Sequence, residues 1–559
     1  MNAERLLAYY ERIADAPDAI ARLRRFILDL AVRGKLVPQE ANDEPASELL
    51  KRIAKEKEQV VRLRRASHDE PEPIVEGQEP FPIPERWKWA RLGSIADLVR
   101  GISFPASDKA TMPGKDLVPC LRSGNIQSEI VWGDFIYVPL RVLKGDQQLV
   151  REGDILISIA NSFELVGKCS IVRAVQFQAT FGAFLAAIRL YTLSPEYVRC
   201  FLSSDYSASR FRLGSSQTTN IANITFATIR DHAIPLPPLA EQRRIVAKVD
   251  ELMALCDRLE AARSEREAAR DKLAAASLAR LNVADPEIFE ADARFALEAL
   301  PALTARADQI KQLRQTILTL AVRGKLVPQD ANDEPASELL KRIRAWQRHE
   351  IEQKTIRAPR KPLAPVKNDD NPYPRPNGWD FARLGEIIYI QSGDGLTAAN
   401  MKGGPVPVFG GNGINGYHDQ NNVNQPTIVI GRVGYYCGSI HVTPPSAWVT
   451  DNAFITKFSH KEIYLRFLVL LLTGTNLKKD ENATAQPVIS GSKIYPIVVG
   501  LPPLAEQHRI VAKVDELLAL CDRLEASLTA TAATRRRLLD ALLAEALAPA
   551  DDREMEAAE

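Results

Sequence analysis

Metal-binding and redox signatures are missing from this chain. Its six cysteines are scattered, with no C-x-x-C pair, and its seven histidines fall at no ligand spacing. A structural zinc needs clustered Cys and His ligands, so none is expected, and a reducing compartment is. No apolar run approaches the ~20 residues that cross a bilayer. The N-terminus, MNAERLLAYYERIADAPDAIARLRR, is amphipathic and charged rather than a secretory leader. A cytoplasmic protein with no membrane contact is expected. Charge of one sign is also missing. The 72 Lys and Arg residues against 71 Asp and Glu leave a net charge of +1, so bulk attraction to nucleic acid is excluded. Any DNA contact must come from local patches or be shared with a basic partner.

Catalytic motifs are equally scarce. There is no G-x-x-x-x-G-K-[ST] phosphate loop, no H-E-x-x-H and no nucleophile elbow. GGNGING places G-x-G-x-x-G at Gly411, Gly413 and Gly416, and FGGNG from Phe409 fits the glycine motif of methyltransferases that bind S-adenosylmethionine. Both motifs need a following helix whose N-terminus meets the ligand. The continuation YHDQNNVNQP reads as loop, so a Gly/Asn turn cluster is expected. Asn371-Pro372-Tyr373 lacks the second Pro of the Asn-Pro-Pro-Tyr motif of amino-methyltransferases. The acidic pairs Asp43/Glu44 and Asp333/Glu334 stand beside Pro inside a duplicated segment, a poor setting for a nuclease centre. The chain reads as non-catalytic, with no catalytic residue, no metal ligand set and no cofactor of its own.

What is present is duplication. LRRFILDLAVRGKLVPQEANDEPASELLKRI from Leu23 returns as LRQTILTLAVRGKLVPQDANDEPASELLKRI from Leu313, and LPPLAEQRRIVAKVDELMALCDRLE from Leu236 returns as LPPLAEQHRIVAKVDELLALCDRLE from Leu501. The displacements differ (313 − 23 = 290; 501 − 236 = 265), so the second insert is 25 residues shorter than the first. The inserts diverge but open alike, with PFPIPERWKWARLGSI from Pro80 and PYPRPNGWDFARLGEI from Pro372. The period far exceeds the ~20–50 residues of solenoid repeats. One scaffold is used twice to hold two different readers.

The pattern along the chain divides it into a helical frame (1–66), a Pro/Glu-rich linker (67–86), a β- and turn-rich unit (87–236), a long helix (237–285), a second helical frame (286–350), a second linker (351–377), a second β-rich unit (378–500), a second long helix (501–548) and a tail (549–559). GDILISIA from Gly153, FLAAIRLY from Phe184 and IVIGRVGYYCGSIHV from Ile428 read as strands, and Ser194 to Ser207 as one helix with a Ser-Pro start. Trp87 and Trp379, at matching entrances, are expected core anchors. Each long helix should run ~35–40 residues, or about 50–60 Å. Ile245, Val249, Leu252, Cys256 and Leu259 step by 4 and 3, as do Ile510, Val514, Leu517, Cys521, Leu524 and Leu528. Such a stripe either packs on its own domain or meets its twin. The twin is preferred here, which makes the seams an antiparallel coiled coil with Cys256 and Cys521 as small core residues.

Frame, variable unit and long helix, twice over, resemble the DNA-specificity subunit of type I restriction–modification systems. The resemblance rests on LPPLAEQRRIV and LPPLAEQHRIV, the ARLG openings and both AVRGKLVPQ segments, and GGNGINGYHD and SSQTTNIANIT look like its variable-domain loops. It implies an α/β (α+β) fold with two target recognition domains of mixed structure, joined by two helices in an antiparallel coiled coil, with a pseudo-twofold internal repeat. Each domain would read half of a bipartite double-stranded target, with the helices setting the unread spacer. Two methylation subunits would bring S-adenosylmethionine, and restriction subunits would bring ATP hydrolysis and its Mg, to a complex serving phage defence. AVRGKLVPQ (Ala31–Gln39, Ala321–Gln329) is either part of the docking surface or an intramolecular helix stop. The rivals are the specificity subunit of a related two-subunit restriction system, a DNA adenine methyltransferase, and an architectural scaffold without sequence preference.

Base readout needs side chains with paired donors and acceptors. In the first domain three polar turns qualify. These are Arg122, Ser123 and Asn125; Asn161, Ser162 and Lys168; and the run Ser215, Ser216, Gln217, Thr218, Thr219 and Asn220. In the second they are Asn412, Asn415 and Tyr417; Arg432, Tyr435 and Tyr436; and Lys478, Lys479, Asn482 and Gln486. Solvated turns are the alternative reading of each.

Overall fold

The computed structural model describes residues 15–64, 71–75, 77–217, 221–282, 286–359, 362–477 and 488–547. The chain divides into two compact units, residues 1–264 with 532–559 and residues 265–531. Each unit holds one frame and one β-rich domain.

Unit 1 carries β1 (Lys88–Arg91), β2 (Ala96–Arg100), β3 (Leu117–Leu121), β4 (Ile136–Pro139), β5 (Ile155–Ser158), β6 (Ala160–Asn161), β7 (Cys169–Ile171), β8 (Thr180–Phe181), β9 (Leu185–Leu190), β10 (Ser216–Gln217), β11 (Ala222–Asn223) and β12 (Ala233–Leu236). Unit 2 carries β13 (Asp380–Arg383), β14 (Tyr389–Ser392), β15 (Val406–Gly410), β16 (Gly413–His418), β17 (Ile428–Gly431), β18 (Ile440–Val442), β19 (Trp448–Val449), β20 (Ala453–Lys457) and β21 (Val498–Leu501). The strand orders correspond one for one. β2-β9-β5-β7 matches β14-β20-β17-β18, β4-β3-β8 matches β16-β15-β19, and β1-β12 matches β13-β21. Even the parallel strand pairing recurs, β3 with β8 and β15 with β19. Two sequences that barely resemble each other therefore build one topology. The central strands are buried on both faces, and burial with register specifies a sheet through apolarity rather than residue identity. Only the small β10-β11-β6 sheet of unit 1 has no named counterpart among the described residues.

The frames are built by punctuation. The helix Ala19–Val32 ends at Gly34 (φ +68°), where the Lys35 amide bonds the Leu30 carbonyl at 3.0 Å. The second copy, Ala307–Val322, ends at Gly324 (φ +68°) with Lys325 to Leu320 at 3.0 Å. This is the glycine stop in which a residue with positive φ turns the chain away from the helix. Ala46–Arg64 and Ala336–Glu352 follow. The linkers are extended but anchored. Phe81 is buried with its ring 4.9 Å from that of Trp89. Tyr373 lies 5.1 Å from Phe381 and donates its hydroxyl to the Val322 carbonyl at 2.6 Å.

The segment 194–207 forms two helices, Pro195–Leu202 and Asp205–Leu213, rather than one. Ser194 caps the first and Ser204 the second, each accepting an amide hydrogen bond three residues on. A Ser hydroxyl satisfies a fresh helix start and so competes with continuation.

The long helices, Leu239–Asn282 and Leu504–Leu547, are 44 residues each, longer than expected, and neither contains Gly or Pro. Each divides between units. Residues 239–264 of the first belong to unit 1 and 265–282 to unit 2; residues 504–531 of the second belong to unit 2 and 532–547 to unit 1.

Here the seam expectation is corrected. Ile245, Val249, Cys256 and, at its edge, Leu252 pack into the unit 1 core with Ile27, Ile53 and Ile188, while Leu259 is half-buried. Ile510, Val514, Cys521 and, at its edge, Leu517, Leu524 and Leu528 pack into the unit 2 core with Ile317, Ile343 and Ile430. A 4-3 stripe fits any helical partner, so the pattern does not identify which helix fills it. The partner here is the frame helix of the same unit. Arg24 reaches Asp257 and Glu260 at 2.6 and 2.7 Å, and Arg314 reaches Asp522 and Glu525 at 2.6 and 3.1 Å. Cys256 and Cys521 are buried, as are the other four cysteines.

One buried group carries a pH signature. His232 lies among Phe201, Tyr206 and Phe211, and its Nε2 is 2.8 Å from Ser207 Oγ. Burial, then the charge of Arg210, push its pKa down to about 3. Below its unfolded pKa of about 6.5 the unfolded chain takes up a proton that the folded chain refuses. Stability is therefore complete above that pH and lost as pH falls, by about 2 kcal/mol at pH 5. Urea unfolding at pH 7.5 and pH 5 should show that loss reduced by the same amount in His232→Gln. Equal losses in both proteins would reject the assignment.

Candidate DNA interface

In domain 1 the three polar turns of the sequence form one continuous row. Arg122 opens the first turn, its guanidinium held by Asp134 through the backbone carbonyl at 2.7 Å and Oδ2 at 2.9 Å. Gln127 continues the row by donating to the Gly124 carbonyl at 2.9 Å, and Lys168 Nζ donates to Gln127 Oε1 at 2.7 Å. The Lys168 carbonyl accepts from the Ser158 amide, and Ser158 Oγ accepts from Asn161 at 3.1 Å. Asn161 pairs with Ala222 across β6 and β11, and Ala222 pairs with Gln217 across β11 and β10. Ser162 extends the row as an exposed residue whose amide donates to Asn161 Oδ1. Ser216 and Gln217 are exposed on an edge strand.

Asn125 is corrected. It is buried, with Oδ1 accepting from the Arg122 amide and Nδ2 donating to the Val131 and Gly133 carbonyls at 3.0 and 2.7 Å. Both of its N–H donors go into shaping the turn, and burial keeps its side chain from a base. Thr218, Thr219 and Asn220 lie outside the described residues.

In domain 2 the GGNGING segment is the β15-β16 hairpin, with Gly411 and Asn412 at its tip, and is not a strand-to-helix turn. Gly413 takes φ +92°, and a Cβ there would stand 3.4 Å from the His441 ring. Asn412, Asn415 and Tyr417 are exposed along the hairpin. Its tip is fastened to the next loop by Ser439 Oγ, which donates to the Gly411 carbonyl. That loop presents Tyr435 and Tyr436, 84% and 50% exposed, with ring centroids 5.1 Å apart. Arg432 is half-buried and committed. It bonds Ser392 Oγ and the Asp451 carbonyl at 3.2 and 3.4 Å over the Phe454 ring. It therefore helps to hold the loop through Nη1. Lys478, Lys479, Asn482 and Gln486 lie outside the described residues.

Sequence reasoning missed two exposed apolar side chains in these domains. Phe184 in domain 1 is 62% exposed and Ile414 in domain 2 is 53% exposed. Phe184 sits in an apolar run that read simply as strand, so only its position just before β9 reveals it.

The duplicated motifs have a mechanical role. Trp87 is buried and donates Nε1 to Glu241 at 3.0 Å, and Gln39 donates to the other oxygen of Glu241 at 2.6 Å. Trp379 and Gln329 also meet Glu506, but both donate to its Oε1, at 3.0 and 3.4 Å. Burial raises the pKa of both carboxyls, and those donors lower it in part. The adjacent Gln242 and Gln507 accept from the amides of Ser194 and Tyr464. The Glu-Gln of LPPLAEQ thus ties the AVRGKLVPQ stop to the domain entrance. The acidic pairs are structural too. Asp43 meets Arg244 and Glu44 meets Arg52; Asp333 meets Arg509 and Glu334 meets Arg342. Among the described residues no three His, Cys, Asp or Glu side chains cluster for a metal, and no helix is long and apolar enough to cross a membrane.

Residues 84–266 and 376–532 match the type I restriction modification DNA specificity domain. The chain belongs to that family. This specificity subunit is 32% identical to the type I restriction enzyme EcoEI specificity subunit of Escherichia coli over 94% of each chain. It is 32% identical to the EcoAI specificity subunit of Escherichia coli, covering 94% of this chain and 93% of that one. The crystal structure of the HsdS subunit from Thermoanaerobacter tengcongensis shares 19% identity over 85% of this chain and 99% of that one, with a TM-score of 0.43. Each matched segment of the specificity subunit runs from a domain entrance into the first part of a long helix, the same stretch that shares a core within one unit.

Proposed function

We propose that each domain reads one half of a bipartite DNA target, that the long helices set the unread spacer, and that the frames dock two methylation subunits to which restriction subunits add. One observation carries the reading. The two domains share a strand order but display unlike reading surfaces, the Asn161–Gln217 row in one and the hairpin with Tyr435 and Tyr436 in the other. A common scaffold with different polar edges is what two different half-sites demand. The spacer role is supported by the long helices, each of which begins in one unit and ends in the other. The near-identical frames offer one partner two similar surfaces. Because Gln39 and Gln329 are spent on internal hydrogen bonds, docking at AVRGKLVPQ falls to the other exposed residues of the segment.

The subunit itself is non-catalytic in this reading. S-adenosylmethionine, ATP and Mg enter with the partners, so calorimetry of the isolated chain with S-adenosylmethionine should show no heat of binding. Mapping methyladenine in the host genome tests the whole reading. One motif with two defined halves and a constant gap is expected, and a motif without a gap would reject it. Gln217→Ala should cost about 1–3 kcal/mol at one base position and relax only the half read by domain 1. Loss confined to the other half would reverse the assignment of domains.

A further inference from the structure

A cleft of about 570 Å³ opens at one end of the domain 1 row, and its walls are mostly apolar, including Ile102, Phe104, Cys120 and Ile136. Phe184 stands at its edge with its ring displayed to solvent. The backbone beneath that ring is pinned. The Phe184 carbonyl accepts from the Ile159 amide at 2.9 Å and the Ala160 amide at 3.4 Å, and the Gly182 amide bonds Leu121 at 2.9 Å. A Cβ on Gly101 would stand 2.1 Å from the Gly182 carbonyl oxygen, so the turn has no room to fall back. The backbone that presents this exposed phenylalanine is therefore held in place.

Two residues that line the cleft carry unspent polar capacity. Arg122 Nε and Ser123 Oγ are buried atoms without a hydrogen-bond partner among the described residues, although Asp134 secures the far end of the Arg122 guanidinium. Burying such groups unpaired costs free energy that a ligand with matching edges would restore. A phosphate does not suit apolar walls, and a base edge within a duplex does not use a ring face. A whole nucleobase uses both the ring face and the two polar atoms. The cleft shares Arg122 and Gly124 with the row that runs on to Lys168 and Gln217, so its occupant would come from the same DNA.

We propose that this cleft receives one nucleobase swung out of the duplex in the half-site read by domain 1, stacked on Phe184 and hydrogen-bonded by Arg122 and Ser123. The proposal rests on the bipartite reading above. It applies to one half-site only, because the position of Phe184 is taken in domain 2 by Asn452, whose carbonyl makes the equivalent bond to the Arg432 amide at 2.9 Å.

The test uses the specificity subunit assembled with its methylation subunits on duplexes carrying the mapped target. Each base pair is mismatched in turn by changing the strand opposite the base under test. A base that must leave the stack binds better when its pairing is already broken. One position in the domain 1 half-site should gain several-fold in affinity, and Phe184→Ala should abolish that gain while weakening the matched duplex roughly ten-fold. Ser123→Ala, which breaks no internal side-chain bond, should relax base identity at that same position. If no position gains, or if the gain survives in Phe184→Ala, the base goes elsewhere and the cleft assignment is overturned while the bipartite reading stands. If the complex recognises no two-part target, both fall together.

Discussion

Alanine at Gly34 is expected to destabilise unit 1 by about 3 kcal/mol, one of the largest single-site losses available outside the deep core. Two costs act together. The backbone there holds φ at +68°, a region that disfavours any Cβ. The added carbon would also lie 2.3 Å from Pro84 Cγ and 2.7 Å from its Cδ, against a ring fused to the backbone, with Trp87 Cζ2 at 3.3 Å. Pro84 and Trp87 lead directly into β1, so relief of the clash would loosen the Trp87–Glu241–Gln39 tie. Gly324→Ala should do the same in unit 2, where Pro376 Cγ is 2.6 Å and Trp379 Cζ2 3.0 Å from the new carbon. Gly133→Ala, with nothing within 4 Å of its added carbon, serves as the control and should change stability by less than about 0.5 kcal/mol. Urea unfolding of the three variants decides the matter. A Gly34→Ala midpoint within error of the control would mean the stop tolerates a side chain.

Seven residues of helix inserted after Ser264 and seven more after Thr531, where each long helix leaves one unit for the other, should change which DNA is recognised. At 1.5 Å per residue each insertion adds about 10 Å. At 3.4 Å per base pair that equals about three unread pairs. The methylation map of cells expressing the doubly lengthened subunit should keep both half-sequences and widen the gap between them. A heptad nearly restores the angular phase of the protein helix, so the insertion leaves the seam of each helix nearly in phase. Insertion into one helix alone should abolish recognition rather than shift it. A double insertion that methylates the original spacing would remove the helices from any measuring role.

Much of the architecture was legible because duplication is a property of sequence. The paired frames, the Gly34 and Gly324 stops, the Trp87 and Trp379 anchors and the strands of GDILISIA and IVIGRVGYYCGSIHV are local patterns. Their physics lies in propensity, periodicity and turn chemistry. The errors came where a pattern is blind to its partner. The Ile245–Cys256 stripe is equally suited to a twin helix or a frame helix. Asn125 has the composition of a base reader and the hydrogen bonds of a turn brace. Arg432 is a basic residue in a polar loop whose Nη1 also bonds the Ser392 hydroxyl and the Asp451 backbone carbonyl.

By itself the sequence established that one scaffold is used twice around two unlike inserts, that no catalytic or metal-binding motif accompanies it, and that the family is one of DNA specificity. Tertiary structure alone revealed that the unlike inserts share a strand order, since a sheet tolerates any apolar residue that meets its register. It alone joined three distant polar turns into one row, because hydrogen bonds such as Lys168 to Gln127 span 41 positions of chain that no local signal connects.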